Sequence, residues 1–427
     1  MGDFQVAGPV LAHNLSNVGL SVPLHASARS DPTQDSLVDL PSGYPSRACN
    51  SFAWSKADFV GEASYVYRLS AAEVAELRRA KDDFKARELD GNLVNQDNFL
   101  LPNLGPKLRK IGDDIYNGKG FHVIRGLEPG DYSVEDLAII RLGVQVYIAD
   151  QCGRQDHRGN MLGILTDLSR KQARSLHGTV HIVADNSSEI KLGHHRHSTS
   201  AIVGTSHATQ DWLSQLIKIV TCQTFHNEEA GDVISWLTRG TSKAGGRCIL
   251  APVYTIYNIL AAHRPDVIRT LSKSDWPIAL PRFQCRPLLF YHDGRVIMNF
   301  SRAPLLGSAT HPRPGHLPQL NDRQCEALDL VETIARALQM EIKTRSGDMH
   351  FINNFTILHR REGFVDGALP DEKRHLVRMR LRSSSMGWSI PESLHQEWTD
   401  AFAENGPKTW HLEPMPGDAF PLRKYTN

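Results

Sequence analysis

The sequence predicts an α+β chain in which helices lead and antiparallel strands follow. Three observations predict it. A capped run with helical periodicity occupies the first third. Short apolar runs bounded by glycine or Asp-Gly turns fill the middle and the end. Residues 374–382 alternate with the period of a strand. Together they specify an antiparallel double-stranded β-helix, or jelly roll, with helices packed outside it.

Each element has its own signal. Residues 1–45 lack sustained periodicity and carry Ser, Pro, Asp and Gly, the composition of a mobile arm or an extended surface wrap. Residues 46–427 are expected to form one elaborated domain, helical from about 60 to 150 with its core from about 120 to 400. Ser70-Ala71-Ala72-Glu73 is a capping box, and Val74, Leu77, Ala80 and Phe84 recur at helical spacing. They predict a helix of about five turns ending near Gly91. Phe121 to Arg125 is a short strand between Gly120 and Gly126. Lys243-Ala244-Gly245-Gly246 reads as a tight turn between strands. Leu288 to Tyr291 and Val296 to Phe300 flank Asp293-Gly294, a hairpin signal. Asn321 to Gln324 caps a second helix that carries Ala327, Leu328, Val331, Ile334, Ala335 and Leu338 on one side. Met349 to Ile352 and Phe355 to His359 read as strands joined across Asn353-Asn354. In the run 374–382, Arg374, Leu376, Arg378, Arg380 and Arg382 share one face, and His375, Val377, Met379 and Leu381 share the other.

Composition narrows the function. Hydrophobic content of 41% and charged content of 22% are ordinary for a soluble globular chain. A net charge of +1 gives no electrostatic footprint for nucleic acid. No run approaches the ~18 apolar residues that span a bilayer. The opening Met1-Gly2-Asp3-Phe4-Gln5-Val6 has neither a basic nor an apolar signal region, and Val6 argues against myristoylation. The six cysteines at 49, 152, 222, 248, 285 and 325 form no Cys-x-x-Cys and no disulfide framework. The expectation is a cytoplasmic protein with reduced thiols, a small-molecule partner, and neither nucleic acid nor membrane.

Two distant segments carry chemistry. Phe225-His226-Asn227-Glu228 runs into Glu229-Ala230-Gly231-Asp232-Val233, and Asn353 to His359 precedes a basic run that begins at Arg374. His226 and Glu228, two apart on an extended segment, face the same side. Two imidazoles and a carboxylate on one face of Fe(II) leave the opposite positions open, and an arginine supplies a fork for a co-substrate carboxylate. Spacing alone is weak. With 20 His and 47 acidic residues in 427, chance gives roughly two His-x-Asp/Glu pairs, and the chain holds three: His226/Glu228, His395/Glu397 and His411/Glu413. Only the first precedes a second histidine and then an arginine-bearing strand.

Context adds a resemblance. Phe225-His226-x-Glu228 with Gly231-Asp232-Val233-Ile234 resembles the metal-binding entry of the TauD/TfdA family of Fe(II)/2-oxoglutarate dioxygenases, closest to its fungal biosynthetic branch. Ala244 to Cys248 resembles that family's Gly-Gly turn, Gly347 to Phe364 its second-histidine segment, and Lys373 to Arg378 its 2-oxoglutarate strand. Gly118 to Gly126 extends the likeness upstream, and the stretch from about Asp185 to Thr221 matches poorly. The resemblance implies a jelly-roll fold, with His226, Glu228 and His359 as iron ligands. It implies Arg374 and Arg378 as holders of 2-oxoglutarate, Arg378 with the alternative of an anionic group on the substrate. It further implies O2 as oxidant, with succinate and CO2 as co-products of oxidising an unactivated C–H of a small molecule, such as an amino acid or a secondary-metabolite intermediate. Hydroxylation, desaturation and ring closure, including aziridine formation, are all outcomes of that chemistry.

There are departures. Glu228 fills a slot where the family places Asp, and Glu229 is a rival ligand. Cys248 stands where a Thr or Ser hydroxyl meets the co-substrate, and a thiol is a weaker donor. Arg382, and less clearly Arg380, read as a solvated edge-strand stripe. His194, His195 and His197 read as a polar loop, with a substrate lid or second metal site as the sharper alternative. Two rival functions remain at this level: a metal-binding jelly roll without turnover, and a zinc hydrolase on the same ligands.

Overall fold

A computed structural model describes residues 39–156, 159–166, 223–307, 312–369 and 372–410. The His194, His195 and His197 loop, His411 and most of the N-terminal arm lie outside them. The strands among them, in chain order, begin with β1 (Val66–Arg68), β2 (Phe121–Arg125), β3 (Gln151–Gly153) and β4 (Gly163–Thr166). Next come β5 (Val233–Gly240), β6 (Ala244–Gly245), β7 (Cys248–Pro252), β8 (Trp276–Ile278) and β9 (Gln284–Arg286). The hairpin β10 (Leu289–His292) and β11 (Arg295–Met298) follows, then β12 (Met340–Ile342), β13 (Met349–Asn353), β14 (Ile357–Arg361), β15 (Phe364–Val365) and β16 (His375–Arg382).

A seven-stranded sheet runs β1-β2-β13-β5-β16-β3, with β4 also pairing β16. A three-stranded sheet runs β12-β7-β14. All pairs but β1–β2 are antiparallel. Strand β5 is buried along nearly all its length, as a central strand covered on both faces must be. The core packs the large sheet against the helices Gly105–Asn117 and Val134–Gln145, and the same cluster takes in the helix Val253–His263 with Phe355, Trp388 and Trp398. Phe355 stacks on both tryptophans at centroid distances of 5.3 and 5.5 Å.

The predicted elements appear with shifted ends. Ser70 and Glu73 form their reciprocal cap on the helix Ala71–Ala86. That helix stops before Gly91 because Glu88 takes a left-handed φ of 54°. Asp293 and Gly294, at φ 49° and 72°, make the hairpin turn between β10 and β11. Asn321 and Gln324 cap the helix Asp322–Leu338, whose Ala327, Leu328, Val331 and Ala335 are buried. Residues 39–45 lie along the surface, where Tyr44 Oη donates to the Leu289 carbonyl (3.0 Å) and Tyr257 Oη to that of Pro45 (2.5 Å).

Two helices were not foreseen and one expectation is corrected. Val253–His263 and Pro265–Leu271 interrupt the strands. Tyr254, Ile256, Tyr257 and Leu260 are all buried, so an apolar surface around most of that helix hid its period. The arginine stripe is not a solvated edge. Strand β16 lies between β5 on one side and β3 and β4 on the other, and Arg380 is 5% exposed.

The link Asn353-Asn354 is not a hairpin. It carries the chain from β13 in the large sheet to β14 in the small one. The segment 226–232 makes the reverse crossing: His226 bridges His359 on β14, and the chain then enters β5. The candidate site sits where these two crossings meet.

Candidate metal centre

His226 and His359 are direct antiparallel partners. Each backbone N–H donates to the other's carbonyl at 3.0 Å. Residues opposite one another in an antiparallel pair project to the same face, which brings the rings to 4.5 Å between centroids. Glu228, two residues on, joins them. One donor atom from each of His226, Glu228 and His359 lies within 4.8 Å of the others.

Three buried amides weld the crossing. Asn227 accepts from Phe300 N–H (3.0 Å) and donates to the carbonyls of Asn354 (2.6 Å) and Ile357 (3.1 Å). Asn354 Oδ1 accepts from the Glu228 N–H (2.9 Å), while its Nδ2 donates to the carbonyls of Glu228 and Gly231, each at 3.0 Å. Asn299 Nδ2 donates to the Glu228 carbonyl at 3.1 Å. The backbone on both sides of Glu228 is thereby fixed.

The donor set suits a divalent metal. His226 Nδ1 lies 2.9 Å from the Thr224 carbonyl, which can only accept, so Nδ1 donates there and Nε2 is the nitrogen left for a metal. His359 Nδ1 is buried without a hydrogen-bond partner. Burial, reinforced by neighbouring His226, pushes the His359 imidazolium down to about 3, so the ring is neutral. Burial disfavours a charge on Glu228, yet Arg378 and Arg380 hold its carboxyl down to about 2. Two imidazoles and an ionised carboxylate are ligands for iron or zinc.

The arginines of β16 meet a row of carboxylates. Arg378 Nη1 donates to Glu228 Oε1, and Arg378 Nε reaches Gln155 Oε1 at 3.2 Å. Arg380 Nη1 donates to Glu229 at 2.8 Å, and Arg382 Nη1 to Asp232 at 3.2 Å. Glu229 therefore turns toward Arg380 and is not among the groups whose donor atoms converge. The other His-x-Glu pair among the described residues does structural duty: His395 lies 2.7 Å from the Ile390 carbonyl, and Glu397 binds Gln284 and Arg282.

All six residues singled out from the sequence (His226, Glu228, Cys248, His359, Arg374 and Arg378) line one cavity of about 340 Å³. Trp236 forms a further wall, stacked on His350 at 4.8 Å. Arg374 precedes β16 and lies over the Phe364 ring at 5.3 Å. Among the described residues no carboxylate pairs with its guanidinium. Burial, with Arg361 nearby, pushes it down to about 10, still a cation at neutral pH. Burial pushes the Cys248 thiol up to about 12, so it keeps its proton and remains a weak donor.

A family model described as "Taurine catabolism dioxygenase TauD, TfdA family" matches residues 85–380. This chain belongs to the TauD/TfdA family. It is a 2-oxoglutarate-dependent non-haem iron dioxygenase, with Fe(II) as its metal and 2-oxoglutarate as co-substrate. A relative from Stachybotrys chartarum, a taurine hydroxylase-like protein called SAT17, is 31% identical over 373 residues, covering 86% of this chain and 89% of that one. A solved structure of asparagine oxygenase with Fe(II), 2S,3S-3-hydroxyasparagine and succinate shares the fold at TM-score 0.51 and 13% identity, over 76% of this chain and 98% of that chain. A second asparagine oxygenase structure matches at TM-score 0.51 and 12% identity, over 77% and 99%. Among the described residues no helix is long and apolar enough to cross a membrane.

Spacing and resemblance pointed to the histidines, Glu228 and the arginines. They missed Asn227, Asn299 and Arg286, and they read Asn354 only as a turn residue. A polar residue inside Phe225-His226-Asn227-Glu228 was the available signal for Asn227, because its side chain must face the core opposite its two neighbours.

Proposed function

We propose that His226, Glu228 and His359 hold one Fe(II) and that Arg374 holds the far carboxylate of 2-oxoglutarate in the cavity beside it. The observation that carries this reading is the convergence of the three donors beside the half-buried Arg374, whose guanidinium no carboxylate contacts among the described residues, Asp366 acting on it only from a distance. When bound, iron supplies the redox chemistry that couples decarboxylation of 2-oxoglutarate by O2 to oxidation of a substrate C–H, with succinate and CO2 as co-products. Every other task falls to the chain. Arg374 supplies charge and orientation through a two-pronged carboxylate contact. Cys248 lends an S–H where it lines the same cavity. Arg378 fixes one oxygen of Glu228, and the other, 3.8 Å from Arg380, is the one offered to the metal. Trp236 narrows the space beside His359.

The substrate is a small molecule, and its fate is hydroxylation, desaturation or ring closure. The relative's description as taurine hydroxylase-like and the hydroxyasparagine bound to asparagine oxygenase support a small polar substrate. In this reading the seven- and three-stranded sheets are the two halves of a jelly roll within one domain from about residue 46. The compartment is the cytoplasm. Family membership favours this function over a non-catalytic metal binder or a zinc hydrolase.

The test is anaerobic titration of the full chain with Fe(II) and 2-oxoglutarate, followed by the visible charge-transfer band and, after air is admitted, succinate release. Arg374→Leu should weaken 2-oxoglutarate about 30-fold or more, the cost of losing a buried charge partner. No band and no succinate from the wild type, or an unchanged 2-oxoglutarate affinity in Arg374→Leu, would overturn the assignment.

A further inference from the structure

A second chamber of about 280 Å³ opens on the far side of the same ligands, and His226, Glu228 and Arg378 border both spaces. Its remaining wall includes Glu229, Asn299, Ser301 and Arg286. The volume lies near the lower limit of ligand pockets, about 300 Å³, which suits a molecule of amino-acid size.

Three arginines line this chamber. Arg378 and Arg380 already hold Glu228 and Glu229. Arg286 differs. It is 4% exposed, and among the described residues no carboxylate pairs with it. Its Nη2 donates to Asn299 Oδ1 (2.6 Å) and its Nη1 to the Pro287 carbonyl (3.1 Å), while Nε is buried with no acceptor. Burial pushes it down to about 10, which leaves it cationic at neutral pH. Glu397 and Glu229 oppose the effect of burial from a distance, but a buried cation with no carboxylate in contact is costly, and a ligand that supplies one offsets that cost. The position is rigid: Arg286 ends β9, opposite the fully buried Trp276 of β8. It is also tied to the candidate metal centre, since the amide of Asn299 that accepts from Arg286 donates to the Glu228 carbonyl.

We infer that Arg286 anchors a carboxylate of the substrate, so that this chamber takes a small carboxylic acid whose chain extends from Arg286 toward the ligand cluster. The inference rests on the proposed function, which places the oxidising metal between the two chambers. It goes further in naming the substrate's anionic end and the residue that reads it. The second hydrogen on each terminal nitrogen remains for the ligand, enough for a two-pronged contact, while Nε is sealed from the chamber.

The experiment uses the full chain under argon. Loading with Fe(II) and 2-oxoglutarate, read from the visible band, tests the proposed function by itself. The loaded protein is then screened by thermal shift and calorimetry against the protein L-amino acids, their α-hydroxy acids and short dicarboxylic acids, each beside its primary amide. At least one acid should bind, and its amide should bind at least about 30-fold more weakly. Arg286→Gln should weaken that acid by a similar factor and erase the preference over the amide, and Arg286→Lys should restore part of both. The acid–amide comparison needs no variant, so it stands even where Arg286→Gln folds poorly. A protein that loads iron but binds none of the acids, binds amide and acid alike, or keeps its acid affinity in Arg286→Gln, overturns the anchor.

Discussion

Asn227 lies between two proposed ligands and points away from both, so its replacement tests whether the crossing of the two sheets holds the metal centre. Asn227→Leu keeps the branched shape, with two bulkier methyl groups in place of the carbonyl and amino groups, and removes three hydrogen bonds at once. Phe300 N–H, Asn354 C=O and Ile357 C=O lose their side-chain partner. A buried backbone group left without a partner costs about 1–3 kcal/mol, partly offset here because leucine carries no polar atoms to desolvate. The net loss should be about 3 kcal/mol, read as a lower midpoint in urea with an unchanged slope. The same residue sets the path of the His226–Glu228 backbone, so Fe(II) should bind about 10- to 100-fold more weakly, as when other supports of metal ligands are removed. The matched control is Gln324→Ala, which breaks a helix cap outside the site. It should cost about 1 kcal/mol and leave iron binding unchanged. A loss of less than about 1 kcal/mol in Asn227→Leu, or a loss of stability with iron binding as in the wild type, would refute this coupling.

Other outcomes follow from the same geometry. Glu228→Ala should abolish Fe(II) binding in an anaerobic titration and Glu229→Ala should retain it, because Glu229 faces Arg380; the reverse pattern would exchange their roles. Glu73 is 5% exposed; burial opposes its charge, but Lys107, Tyr67 and Ser70 hold its carboxyl down to about 2 from an ordinary 4.5. A depressed carboxyl stabilises the fold fully above pH ~5 and progressively less as pH falls from 4.5 toward 2. Glu73→Gln should therefore cost roughly 2–3 kcal/mol at neutral pH, with the gap to wild type closing as pH drops; a gap that does not change with pH would refute the argument. Arg125 clasps fully buried Asp348 at 2.7 and 2.8 Å. Arg125→Met should cost about 3–5 kcal/mol by stranding that charge, and Asp348→Leu added to it should recover part of the loss. No recovery in the double variant would show that lost packing, not the orphaned carboxylate, causes the effect.

Local signals were legible where one short segment decides the outcome. Ser70 with Glu73 and Asn321 with Gln324 make their caps from four residues each, and Asp293-Gly294 closes a hairpin because both positions take positive φ. The end of the first helix was not legible, since Glu88 adopts a left-handed conformation that its residue type does not announce. The two histidines could be picked out from their neighbours, but nothing in spacing makes them cross-strand partners. That pairing depends on the chain passing between sheets at Asn353-Asn354, which a strand-turn-strand pattern does not distinguish from a hairpin. The choice between Glu228 and Glu229 likewise needed β16 in place, because Arg378 and Arg380 sort the adjacent carboxylates. The arginine stripe was misjudged because alternation reveals which residues share a face and not whether another strand covers it. Arg286 carried no signal at all, since a lone arginine in a short strand looks the same whether it is solvated or sealed beneath a cavity.

The most direct measurement is anomalous diffraction at the iron edge from crystals grown anaerobically with Fe(II). One strong peak bounded by the side chains of 226, 228 and 359 is the expected result, absent from crystals of His359→Ala treated in the same way. A peak elsewhere on the chain, or an equal peak in the variant, would contradict a single ferrous site built from those three residues.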